Sequence, residues 1–171
     1  METSTKTAAD GNEPIRLDGL EAWRGLIRIH GWIVRRVEGA LETAHGLPLR
    51  GYEVLQQLAE QPNGKMRMCD LADRVALTRS GLTRLVDRLE AERLVERCSC
   101  EHDGRGAYAC LTELGRQRLA AARATHLAVL RDHFLSRLTE AELATLSRLW
   151  GRILPDRGSG APTRSWVGVD S

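Results

Sequence analysis

Apolar residues recur at helical spacing through most of this chain. Leu17, Leu20, Trp23, Ile27, Ile33, Val34, Val37 and Leu41 follow steps of three, four or their sums, predicting one long amphipathic helix that stops near His45-Gly46. A second helix is expected from about Leu49 to Glu60, with Tyr52, Leu55, Leu58 and Ala59 inward, ended by Gln61-Pro62-Asn63-Gly64. Met68 to Val75 reads as a two-turn helix and Arg79 to Arg93 as the next, with Ala76-Leu77-Thr78 between them and Thr78 placed as an N-cap. The pattern then changes. Leu94 to Cys98 and Ala107 to Leu111 are β-compatible, and Ser99 to Gly106 between them reads as a long, flexible hairpin tip.

Helical spacing returns at Thr112, in a long helix carrying Leu114, Leu119, Leu127, Leu130 and Phe134. Thr139-Glu140-Ala141-Glu142 is a capping-box pattern for a last helix reaching Leu154, with Leu143, Leu146, Leu149, Trp150 and Ile153 on its apolar face. Residues 1–14 and 155–171 lack any such period and are expected to be flexible tails. The expected architecture is therefore mainly α with a small β-hairpin, an α+β winged helix-turn-helix. Residues 15–46 and 112–154 are expected to flank the winged helix-turn-helix unit at 47–111 as dimerisation helices.

Composition narrows the function. The chain has 171 residues, 42% of them hydrophobic, which is enough for a single domain with a core of its own. The net charge of +2, from 25 Lys and Arg against 23 Asp and Glu, excludes a polybasic tail, so any basic site must be local. Neither a membrane span nor a secretion signal is visible, and a cytoplasmic protein is expected. The four cysteines are too few for a disulfide scaffold and are expected to be ordinary thiols. A phosphate-binding loop, a Gly-x-Ser-x-Gly elbow and a His-Glu-x-x-His pair are all missing from the sequence, so an enzyme is not expected.

The chemistry concentrates on the helix after Thr78. At about 100° per residue, Ser80, Thr83, Arg84, Asp87 and Arg88 fall on one side, and Leu82, Leu85, Val86 and Leu89 on the other. Arg84 and Arg88 stand one turn apart, so both guanidinium forks can reach guanine edges or phosphates in a major groove. Any exterior helix shows a polar face, and the six Arg of residues 78–105 are matched by six acids. The order turn, helix, hairpin is what favours double-stranded DNA as the partner. In the tip, Arg105 between glycines suits a minor groove, and Asp103 suits orienting a nearby Arg. A winged-helix module that docks a protein through the same helix is the rival reading.

Arg67-Met68-Cys69-Asp70-Leu71-Ala72-Asp73, Leu77 to Glu90, Asp103-Gly104-Arg105-Gly106 and Leu111-Thr112-Glu113-Leu114-Gly115-Arg116 together resemble a MarR-type transcriptional regulator, in character and spacing from about Ala22 to Leu154. The resemblance implies a homodimer with interlocking first and last helices, a pseudo-palindromic operator, and repression relieved by a small ligand or by cysteine oxidation. It implies Ser80, Thr83, Arg84 and Arg88 at the major groove, Thr78 and Arg79 near phosphates, and Arg105 in the wing. Met68, where Thr or Ser is common, and Gly104, where a second wing Arg is frequent, depart from the pattern.

Sensing has several candidates. Trp23 and His30 share a helix face beside Arg24, and with Tyr52 they could hold an anionic aromatic effector, although such residues more often serve a core or an interface. Cys98, Cys100 and Cys110 are candidates for a redox switch. Cys98-Ser99-Cys100-Glu101-His102 lacks the ligand set of a structural zinc site, so no metal or cofactor is expected. Cys98 and Cys110 lie equally far from Gly104 and could be cross-strand neighbours.

Overall fold

The computed structural model describes residues 17–100 and 103–154, with backbone alone at residues 17, 18, 99, 100 and 103–106. Its elements are α1 (Leu17–His45), α2 (Leu49–Ala59), β1 (Lys65–Arg67), α3 (Met68–Arg74), α4 (Arg79–Ala91), β2 (Val95–Cys100), β3 (Asp103–Leu111), α5 (Glu113–His133), a 3-10 turn (Leu135–Arg137) and α6 (Glu140–Ile153). The mainly helical fold with a small hairpin is as the sequence predicts. Both flanking segments expected to be tails lie outside the described residues.

Local chemistry accounts for the boundaries. Gly46, at φ +60°, takes the left-handed conformation that closes α1, and its N–H bonds the Glu42 carbonyl at 2.9 Å. The Thr78 hydroxyl caps α4 by accepting from the Gly81 N–H at 3.1 Å. Thr139 and Glu142 form the reciprocal capping box that opens α6. By contrast α3 begins at Met68 with no side-chain cap. At its other end, Arg50 reaches from α2 to the Val75 carbonyl at 3.0 Å while holding Glu53 at 2.8 Å.

The core lies where α2, α3, α4 and the sheet converge. Leu55, Leu58, Leu71, Leu82, Val86, Leu89, Leu94 and Val95 are fully enclosed there. Burying a side chain of this size contributes about 1.5–3 kcal/mol, so this convergence sets the relative pose of the turn, α4 and the hairpin. Val37 and Leu41 carry α1 into the same core. The long helix α5 contributes Gly115, Ala122 and His126, with Leu119 and Leu130 beside them, whereas Leu114 is 45% exposed. The inward stripe of α5 is thus made partly of small residues, which let it lie close to α1, and counting leucines alone misplaces it.

The sheet holds one strand more than the sequence suggests. β1 pairs antiparallel with β3 on the side away from β2, giving the order β1-β3-β2. Three residues are too few to show alternation, so this strand exists only through its partner. The hairpin is also more regular than expected: β2 runs to Cys100 and β3 starts at Asp103, so the span 99–106 is mostly strand rather than loop. Gly115 seats α5 on this sheet. A Cβ there would collide with the Leu94 carbonyl oxygen and stand 2.7 Å from Leu111 Cδ1.

Two regions keep apolar surface in solvent. In the amino-terminal half of α1, Trp23 is 58% and Ile27 51% exposed, and in α6 no residue is buried, with Ile153 at 71%. Among the described residues, no helix is long and apolar enough to cross a membrane.

Candidate nucleic-acid interface

Helix α4 presents its polar side outward. Thr78, Arg79, Ser80, Thr83, Arg84 and Arg88 are all exposed, and Leu82, Val86 and Leu89 beneath them are buried. The short side chains are locally tethered. Ser80 Oγ lies 3.3 Å from Thr78 Oγ1, and the Thr83 hydroxyl donates to the Arg79 carbonyl at 2.9 Å. Arg88 is partly held by Glu92 one turn on, at 3.3 Å and in solvent, an ion pair weak enough for phosphate to displace. Among the described residues, no acid pairs with Arg79 or Arg84.

Asp87 is exposed, as its spacing places it, but it is not unpaired. Its carboxylate binds the Arg97 guanidinium on β2, and Glu90 binds the same group at 2.5 Å. Glu90 also accepts from the Arg97 backbone N–H at 3.1 Å. Asp87 and Glu90 are three apart and so share the edge of α4 that faces the sheet. Arg97 lies two residues on from the buried Val95 and therefore points to that same side of β2. Two acids of α4 are thereby neutralised by the hairpin beside the face that carries Arg84. Sequence reasoning missed Arg97, although strand alternation from Val95 would have located it.

The other sheet face is partly exposed and has its own order. Register aligns Lys65, Cys110 and Glu96 in one row and Arg67, Tyr108 and Cys98 in the next. Arg67 donates through Nε to the Tyr108 hydroxyl at 2.8 Å, and the Lys65 and Arg67 cations lie 5.9 and 5.7 Å from the Tyr108 ring centre. Cys98 and Cys110 form a disulfide across the two rows, with Cα atoms 6.2 Å apart. The expectation of ordinary thiols is corrected here. Cys98 directly opposes Tyr108, not Cys110, because the hairpin turns nearer residue 103 than Gly104 implies; the two cysteines are diagonal neighbours on one face. Cys69 is a free, exposed thiol. The side chains of Asp103, Arg105 and Cys100 lie outside the described residues.

The four effector candidates are not brought together within this chain. Trp23, Arg24 and His30 are exposed on α1, and at about 1.5 Å rise per residue Trp23 stands roughly 20 Å along the helix from Val37, where α1 joins the core. Tyr52 is buried and stacks on His126, ring centres 5.0 Å apart. Burial pushes the Tyr52 phenol up, with Arg123 lowering it and Glu60 raising it. Burial, seconded by Arg123, pushes the His126 imidazole down. Trp32 on α1 holds His133 edge-on at 5.3 Å and the Arg36 guanidinium at 4.6 Å. No group of His, Cys, Asp and Glu among the described residues could hold a metal ion.

A tight helical turn, an exposed polar second helix and a hairpin clamped to it define a winged helix-turn-helix protein. Residues 45–106 match the family model for the MarR family. Among solved structures, the chain is similar to AbsC, a MarR family transcriptional regulator from Streptomyces coelicolor, at 31% identity and a TM-score of 0.75, covering 82% of this chain and 95% of that one. It is similar also to Sco3205, a MarR family transcriptional regulator from the same organism in complex with DNA, at 30% identity and a TM-score of 0.75, over 84% and 91% of the two chains. The transcriptional regulator BldR from Sulfolobus solfataricus follows at 27% identity, TM-score 0.66, over 79% and 96%. Among curated proteins none matches the chain. The chain belongs to the MarR family of transcriptional regulators.

Proposed function

We propose that this chain is a cytoplasmic transcriptional repressor that binds a pseudo-palindromic double-stranded operator as a homodimer and leaves it when a small effector binds. The carrying observation is the face of α4, where Arg84 stands exposed and unmatched by a described acid beside Ser80, Thr83 and Arg88, while Asp87 and Glu90 are engaged by Arg97. Arg84 and Arg88 read the major groove, Ser80 and Thr83 allow close approach, and Thr78 and Arg79 meet phosphates. Arg105 enters the flanking minor groove, with Asp103 supporting the wing. The DNA in the Sco3205 complex supports the choice of partner.

The dimer reading rests on the apolar surface left by α1 and α6. Residues 15–46 and 112–154 assemble two copies of the 47–111 unit so that their α4 helices stand about one DNA turn, roughly 34 Å, apart. An anionic aromatic effector is the ligand class that Trp23, Arg24 and His30 suit, with Tyr52 of α2 as the fourth candidate. Because one chain does not unite Trp23 with Tyr52, a pocket using both requires the second copy.

The test is binding to DNA from the promoter beside its own gene. Arg84→Ala and Arg88→Ala each keep a folded dimer in sedimentation yet lose operator binding. If either Arg is a phosphate contact, its loss also flattens the slope of log K against log salt by about one. Unchanged binding by both variants overturns the assignment.

A further inference from the structure

Two consecutive residues on the exposed side of α4 differ in what their side chains have left to offer. Thr83 spends its hydroxyl proton locally, donating to the Arg79 carbonyl one turn back at 2.9 Å. The side chain keeps a methyl group and an oxygen that can only accept. Arg84 is the opposite case. It is exposed, and among the described residues no acid pairs with it. Asp87, three residues on and a neighbour of Arg84 by helical spacing, is engaged instead by Arg97 of β2. The ion cluster at the root of the wing therefore leaves the Arg84 fork open, whereas Arg88 shares its Nε with Glu92 at 3.3 Å.

Base edges in a major groove sort these two residues. Guanine alone places two acceptors, O6 and N7, side by side, and a forked donor with no local partner matches them. An A·T pair alone offers both a methyl group, on thymine C5, and a donor, on adenine N6. Those are the complements of what Thr83 keeps. Guanine O6 and N7 and thymine O4 are acceptors, and the Thr83 hydroxyl has no proton left to give them. Consecutive Cα atoms stand about 3.8 Å apart, close to the roughly 3.4 Å between bases along a strand, so the two contacts fall within about two base pairs of each other.

We propose that each operator half-site carries a guanine read by Arg84 and, within about two base pairs of it, a thymine whose methyl group packs against that of Thr83. The assignment rests on the DNA-binding reading above and adds the bases that α4 selects. The hydrogen bond from Thr83 to Arg79 is part of the selection, because it withdraws a donor that several bases would satisfy alike.

The full-length protein selects sites from a library of duplexes with a randomised centre. The selected duplex is then resynthesised with 7-deazaguanine at each guanine in turn, which lacks N7, and with uracil at each thymine in turn, which lacks the methyl group. Removing N7 from one guanine per half-site is expected to weaken wild-type binding about tenfold. Removing the methyl from a thymine within about two base pairs of it is expected to weaken binding about fourfold, the effect of one buried methyl group. Arg84→Gln loses the preference for that guanine and keeps the thymine. Thr83→Ser, which keeps the hydroxyl and lacks the methyl, no longer distinguishes thymine from uracil, and Thr83→Val, which keeps a methyl and lacks the hydroxyl, still does. A selected site that shows neither sensitivity, or whose sensitivities survive in Arg84→Gln and Thr83→Ser, overturns the assignment and leaves DNA binding intact. A library from which wild type enriches nothing overturns the DNA-binding reading, and this assignment with it.

Discussion

Glu90 accepts two hydrogen bonds from Arg97, one from the backbone N–H and one from the guanidinium, so a recognition-helix acid and a wing strand are joined at two points. The backbone contact fixes the height of β2 against α4, and the side-chain contact, shared with Asp87, fixes its tilt. All three side chains are partly in water, so the cluster is a positioning device more than a source of stability. Arg97→Ala is expected to cost only about 0.2–1 kcal/mol in chemical denaturation. It should weaken operator binding several-fold, and Arg97→Lys, unable to fork between two acids, should recover little of that. A large drop in melting temperature with unchanged DNA affinity would contradict this division of roles.

Much of this architecture is legible in the chain because it is local. Thr78, Gly46 and Thr139 act within four residues of themselves, and their caps form as the sequence predicts. The apolar and polar sides of α4 follow from period alone. What escapes such reading depends on distant partners. β1 owes its existence to β3, the Cys98–Cys110 bond to where the hairpin turns, and the pairing of Asp87 to Arg97 ten residues on. The effector candidates depend on distant surroundings too, since Tyr52 and Trp23 carry similar aromatic signals yet one is stacked in the core and the other is exposed on the amino-terminal half of α1.

Gly115 is required by contact rather than by conformation. α5 begins against the backbone of Leu94, and a methyl group at Gly115 has no room beside that carbonyl, which also accepts from the Thr112 backbone N–H at 3.2 Å. Backbone cannot step aside cheaply, so Gly115→Ala should destabilise by about 2–4 kcal/mol or prevent folding, as overpacking of a close backbone approach does. Gly39, on an exposed stretch of α1 with open space around it, is the control. Gly39→Ala should be neutral or stabilising by up to about 1 kcal/mol through helix propensity, measured by urea denaturation.

Arg93 ends α4 at φ +59°, a left-handed conformation that glycine adopts without cost. The chain folds back there, with Leu94 N–H bonded to the Leu89 carbonyl and Arg93 N–H to that of Glu90, both at 2.9 Å. None of these bonds uses the Arg93 side chain, and Thr112 contacts only its carbonyl oxygen, at 2.7 Å. Arg93→Gly is therefore expected to raise stability by about 0.5–1 kcal/mol. Thermal unfolding checks it, and a lower melting temperature would show that the guanidinium contributes more than the backbone strain costs.

His126 gives the fold a pH dependence whose sign can be worked out. Burial against Tyr52, followed by the nearby Arg123 charge, lowers its pKa below the ordinary 6.5. Above pH 6.5 the ring is neutral in folded and unfolded chain alike, and its titration leaves stability untouched. As pH falls below that value the unfolded chain takes up a proton that the folded chain refuses, so stability declines until the folded pKa is reached and then levels off. Chemical denaturation between pH 8 and pH 5 should show this decline in wild type. His126→Gln, with a neutral side chain of similar reach, should be less stable at pH 8 but lose less on acidification. Tyr52 acts at the opposite end of the scale: its raised pKa removes stability only as pH climbs past 10, where the unfolded phenol ionises first. A wild-type profile flat from pH 8 to 5, or one with the same slope in His126→Gln, would place the titrating group elsewhere.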